Sequence, residues 1–114
     1  MMNGLDHMLC IPCPAGSTQM PDAQCHRLLN NLPGWELAMV EKSVQLRRTF
    51  VFADFSEALA FTNRIGGLAE AEGHHPELVT KWGAVTVSWW THSVGGVHLN
   101  DFIMAARTGA LTST

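Results

Sequence analysis

The chain has 114 residues, 46% hydrophobic and 15% charged, enough for one ordinary core and too short for two. Its formal charge of −3 gives no long-range attraction toward phosphate backbones or anionic lipid, so nucleic acid and membrane surfaces are poor partners. No run approaches the roughly 18 apolar residues of a membrane span, and the first twenty residues lack a basic segment leading into an apolar one; a cytoplasmic protein is expected.

Residues 1–20 contain Gly4, Pro12, Pro14 and Gly16 without apolar periodicity, so ordering them would bury little to offset the entropy cost. They read as a loose tail, with a single domain over 21–114. Cys10, Cys13 and Cys25 are an odd number clustered in the first quarter of the chain, which suits a reducing compartment better than a disulfide framework. Cys10-x-x-Cys13 is only half of a zinc signature, and Cys25-His26 adjacency hinders both from reaching one tetrahedral ion.

Asp22 to Leu32 reads as a short helix with Asp22 as its cap, stopped by Pro33-Gly34. Alternation over Trp35–Val40 and again over Val44–Phe52 predicts two strands joined through Glu41-Lys42-Ser43. Arg48 falls on the apolar parity of the second strand, where periodicity alone gives it no reason to be. Asp54 with Glu57 forms a capping box, and Phe55, Ala58, Leu59, Thr62, Ile65 and Ala69 recur at helical spacing, so 54–72 is the main helix. Along its outer stripe Ala60, Gly67 and Ala71 are small enough to admit another helix; a tolerated kink at Gly66-Gly67 is the plainer reading.

Leu78–Lys81 and Ala84–Thr91 predict a second hairpin turning near Trp82-Gly83, with Val85, Val87 and Trp89 on one face and Thr86, Ser88, Trp90 and His92 on the other. Gly95-Gly96 interrupts the chain, and Asn100 is the expected cap of a closing helix. The order α-β-β-α-β-β-α predicts an α+β fold: a four-stranded antiparallel sheet with helices packed on one face.

Four of the six histidines lie between positions 74 and 98. His74-His75-Pro76 sits where the main helix must end, since Pro76 disfavours helical geometry in the residue before it. His92 ends the second strand of the second hairpin, so a helix end and a strand end can meet on one rim of the sheet. Histidine is the side chain able both to give and to take a proton near neutral pH. A metal site fits poorly, because helical histidine ligands sit at i and i+4 and His74 and His75 are adjacent; no metal is expected.

Glu70-x-x-x-His74-His75-Pro76, followed by Trp82, His92 and Asp101, resembles the signature of the pterin-4a-carbinolamine dehydratases in residue types and spacing. The similarity runs from about Asp22 to Ala106 and includes Ala58-x-x-Phe61, Thr91-His92 and Asn100-Asp101-Phe102; it is greatest to bacterial members associated with phenylalanine hydroxylation. The resemblance implies dehydration of a 4a-hydroxytetrahydropterin to the quinonoid dihydropterin, with no cofactor because the pterin is the substrate. It also implies assembly as dimers or tetramers and a functional link to an aromatic amino acid hydroxylase. His74, His75 and His92 correspond to the family's three active-site histidines. Glu70, Pro76, Trp82, Trp90 and Asp101 are assigned to substrate binding, with Trp82 either stacking on the pterin or packing to close its hairpin, and Asp101 alternatively only a first-turn carboxylate. Gly73 departs from the acidic or polar residue common there, and Val97 from a leucine. Two other readings share these residues: a non-catalytic dimerisation module of the same fold, and a pterin-linked accessory factor in molybdenum-cofactor metabolism.

Overall fold

The structure, a computed structural model, describes residues 22–41, 43–91 and 95–113; the cysteine-bearing tail and His92 lie outside them. Three helices, α1 (Asp22–Leu29), α2 (Phe55–Glu72) and α3 (Leu99–Ala110), accompany four strands, β1 (Glu36–Val40), β2 (Ser43–Val51), β3 (Glu77–Lys81) and β4 (Ala84–Trp89). The sheet is antiparallel throughout, in the order β1-β2-β4-β3. This is the expected α+β order.

Register decides which side chains meet the helices. β2 and β4 pair with Leu46 opposite Trp89, Arg48 opposite Val87 and Phe50 opposite Val85. All of these except Arg48 are buried, in one core with Phe61 and Ile65 of α2 and Phe102 and Ile103 of α3. Alternate residues face the other way. There Thr49 and Thr86 share a hydroxyl hydrogen bond of 2.9 Å, and Arg47 Nε donates to Ser88 Oγ at 3.3 Å. Each side chain fully buried on the helix face contributes about 1.5–3 kcal/mol, which fixes the register, since a one-residue slip would exchange the two faces.

Arg48 is explained by two contacts, one within its own strand and one 15 residues away in sequence. Its guanidinium lies 4.2 Å from the centre of the Phe50 ring, and Nη1 donates to the Pro33 carbonyl at 3.3 Å. Desolvation draws its pKa below the usual arginine value, and the ring face and carbonyl compensate part of that cost. Gly34 has φ +89°, and a Cβ there would stand 2.9 Å from Arg48 Nε. Pro33-Gly34 therefore does more than stop a helix: it lets the chain cross the arginine.

α1 and β4 each end earlier than expected. α1 stops at Leu29 because the following amides bond three residues back, Asn31 N to Leu28 O and Leu32 N to Leu29 O, a tightening that carries Leu32 into the core. β4 leaves the ladder after Trp89, and Thr91 instead pairs with Gly96, its N–H donating to the Gly96 carbonyl at 2.8 Å.

Candidate active site

The end of α2 sets the first part of the site. Asp54 caps the helix by accepting from Glu57 N, and Gly73 closes it at φ 66°, ψ 26°, a left-handed conformation that glycine adopts without steric cost. The His74 amide then bonds to Ala69 O at 3.2 Å. An acidic side chain at 73 would strain this exit, so the departure at Gly73 has a backbone reason here. His74, His75 and Pro76 follow, outside any helix or strand, and lead into β3.

The start of α3 sets the second part. Its cap is His98 rather than the expected Asn100: the His98 side chain accepts from Asn100 N, and Asp101, at the third helical position, accepts from His98 N at 2.8 Å. Asn100 is inside the helix. The sequence favours Asn100 because asparagine is the commoner cap, yet the box places its carboxylate at Asp101, three residues after His98.

Asp101 then does two jobs. Its Oδ2 takes the His98 amide and the Thr91 hydroxyl, the latter at 2.7 Å, while Oδ1 lies 2.6 Å from His74 Nε2. It is 0% exposed. A carboxylate only accepts, so the His74 proton sits on Nε2 and is donated to Asp101, leaving Nδ1 as the nitrogen available for exchange. Among the described residues nothing bonds to that Nδ1. The His74 ring also forms an offset, nearly parallel stack with Trp89, with centroids 5.7 Å apart and planes within 10°. Its side chain keeps 16% exposure. Nearby, Arg107 of α3 and Glu72 of α2 approach to 3.2 Å, tying the two helices beside the site.

His75 points elsewhere. Its Nε2 donates to Glu70 Oε2 at 2.5 Å, with the two side chains 60% and 78% exposed. Trp90 is half-buried and lines a cleft of about 310 Å³ with Val40, Glu41, Ser43, Gln45 and Gly95; at its edge Ser43 Oγ and Gln45 Oε1 are buried without a hydrogen-bond partner.

The structure thus joins His74 to Asp101, and His75 to Glu70, beside Pro76. It does not bring Trp82 to them: Trp82 lies in the turn at the far end of β3 and is 73% exposed, so packing does not account for it either. Sequence reasoning left Thr91, His98 and Trp89 without roles. The signal available for His98 was the spacing His98-x-x-Asp101, a capping box with an unusual first residue.

This part-buried histidine on a fully buried carboxylate, held where a helix ends and another begins on one rim of an antiparallel sheet, fits a proton-transfer enzyme of the α+β class. The sequence pattern of the family described as Pterin 4 alpha carbinolamine dehydratase matches residues 18–111. The chain belongs to that family. A relative from Chlorobium limicola, assigned provisionally by its name to pterin-4-alpha-carbinolamine dehydratase, is 62% identical over 110 residues, covering 96% of this chain and 97% of its own. A crystal structure of a transcriptional coactivator/pterin dehydratase from Brucella melitensis superposes with a TM-score of 0.75 at 31% identity, over 82% of this chain and 98% of that one. A pterin dehydratase-like protein identified as a RuBisCO assembly factor in the alpha-carboxysome shares the fold, with a TM-score of 0.59 at 21% identity over 71% and 92% of the two chains. Family membership and the first relative's name support a dehydratase activity.

Proposed function

We propose that the chain dehydrates a 4a-hydroxytetrahydropterin to the quinonoid dihydropterin and water by histidine acid–base catalysis. The observation that carries this reading is His74 held through Nε2 by the buried Asp101, with Nδ1 available for exchange. In the reaction the C4a–O bond breaks with its electron pair going to oxygen, which takes a proton and leaves as water. The N5–H proton is removed, and the N5 electrons form the N5=C4a bond. One group must therefore give a proton and another take one. His74 and His92 are assigned to these transfers, in an order that either arrangement of the substrate would allow, and His75 with Glu70 to orienting the pterin. Each positioned acid or base contributes about 10²–10⁴ in rate.

The same reading puts the enzyme after an aromatic amino acid hydroxylase, which releases this substrate, and in the cytoplasm. No helix among the described residues is long and apolar enough to cross a membrane. It also gives a homo-oligomer: Phe55 and Leu59 on α2 are each 44% exposed, and among the described residues nothing beyond the helix itself lies within 4 Å of where a Cβ would stand on Gly66, which shares their face, so this helix face is open to a second copy. Light scattering at micromolar concentration is expected to show a dimer or tetramer. Only a 12.5 kDa species would refute the assembly.

The deciding assay follows accelerated water loss from freshly generated 4a-hydroxytetrahydropterin. His74→Ala and His92→Ala are each expected to lower turnover by at least about 10², with His26→Ala near the parent and dialysis against a strong chelator without effect. Folded His74 and His92 variants as active as the parent would overturn the histidine mechanism and leave the dimerisation module as the better account.

A further inference from the structure

We propose that Trp89 is a positioning residue that fixes the plane of the His74 ring, with α3 as the common reference for both. The inference rests on His74 being catalytic, as proposed above, and goes beyond it by adding a residue that never meets the substrate. Trp89 is fully buried, so its effect on the reaction must pass through another group.

An imidazole joined to its backbone by two rotatable bonds needs two constraints to hold one nitrogen in place. The first acts at its edge: Nε2 is held by Asp101 at 2.6 Å, which fixes direction within the ring plane but leaves the ring free to rock about that bond. The second acts on its face. Trp89 lies parallel to it, 5.7 Å between centroids with planes within 10°, and a flat stack resists that rocking.

A platform is useful only if it is itself held. Trp89 Nε1 donates to Thr108 Oγ1 at 3.1 Å, and the Thr108 hydroxyl donates to the Met104 carbonyl at 2.6 Å. The polarity of this chain is determined, because indole N–H only donates and the carbonyl only accepts. Thr108 and Asp101 are both on α3, seven residues or nearly two turns apart, a rise of about 10 Å. Edge and face of the imidazole are thus referred to one rigid helix. Leucine at 89 would fill much of the volume while offering no flat face and no N–H, so burial alone does not account for the Trp89–Thr108 pair.

The test compares Trp89→Leu, Trp89→Phe and Thr108→Val, each checked for folding by circular dichroism and thermal melt. Two readouts are taken: steady-state kinetics on 4a-hydroxytetrahydropterin, and the His74 ring-proton resonances, assigned by their disappearance in His74→Gln. In the parent the indole ring current is expected to place these resonances upfield of those of the exposed His26. Trp89→Leu is expected to lose that displacement and to lower kcat about 10-fold with KM within about 3-fold, since small misplacements of a catalytic group cost rate rather than affinity. Trp89→Phe restores a ring face and should recover to within about 3-fold of the parent, while Thr108→Val falls between. The proposal is overturned if folded Trp89→Leu keeps parental kcat and His74 resonances, or if Trp89→Phe is no better than Trp89→Leu. If Trp89→Leu does not fold, unchanged kcat and resonances in Thr108→Val overturn it equally. Activity retained in His74→Ala would instead sink the catalytic reading, and the resonances would still decide whether Trp89 sets the ring.

Discussion

His74 and His75 are neighbours in sequence and opposites in circumstance. His74 meets a fully buried carboxylate that itself takes two further hydrogen bonds, and it lies against a buried indole. His75 meets Glu70 in a pair that is mostly in water. A histidine–carboxylate pair therefore makes a fixed, largely buried contact in one case and an adjustable surface contact in the other. The difference comes from how each acid is held: Asp101 is committed by the cap of α3, whereas Glu70 stands in the last turns of α2, and an exposed ion pair is typically worth only about 0–1 kcal/mol.

The largest effect expected from breaking this contrast is on the buried side. Asp101→Asn would set an amide against three donors and favour the wrong His74 tautomer, so turnover should fall at least about 10². Unfolding experiments should also show a loss of about 1–3 kcal/mol for the donor left unpaired. A folded Asp101→Asn with parental turnover would show that the carboxylate serves the helix cap alone. A smaller effect is expected from Thr91→Val, which removes one hydrogen bond to Asp101 while keeping shape and should cost about 1 kcal/mol in denaturant unfolding. Least is expected from Glu70→Gln: no measurable change in the unfolding midpoint, with any kinetic effect confined to KM. A destabilisation as large as that of Thr91→Val would mean that His75 is not the looser of the two.

The sequence showed the element order well because periodicity is a local property: β4 alternates, and α2 repeats its apolar residues from Ala58 to Ala69. It also singled out His74 and Asp101, though it left Asp101 divided between a first-turn carboxylate and a site residue; the structure shows the first-turn carboxylate and its contact with His74. What remained hidden depends on contacts across the fold. Arg48 breaks the strand pattern and is intelligible only beside Phe50 and the Pro33 carbonyl. Thr91 reads as one more strand residue until the chain is seen to leave the ladder and turn its hydroxyl to Asp101. Trp82 shows the reverse: a tryptophan within a family signature invites a place near the site, and within the chain the hairpin carries it to the opposite end of β3.

The double duty of Asp101 ties activity to the order in which the chain assembles. His74 and Asp101 are separated by 27 positions, with the whole of the β3–β4 hairpin between them, and the carboxylate reaches its place only when α3 has formed its first turn and docked. Enzymatic activity should therefore return during refolding in step with arrival of the C-terminal helix and not with formation of the sheet alone. A stopped-flow recovery of turnover would serve as a clock for that docking.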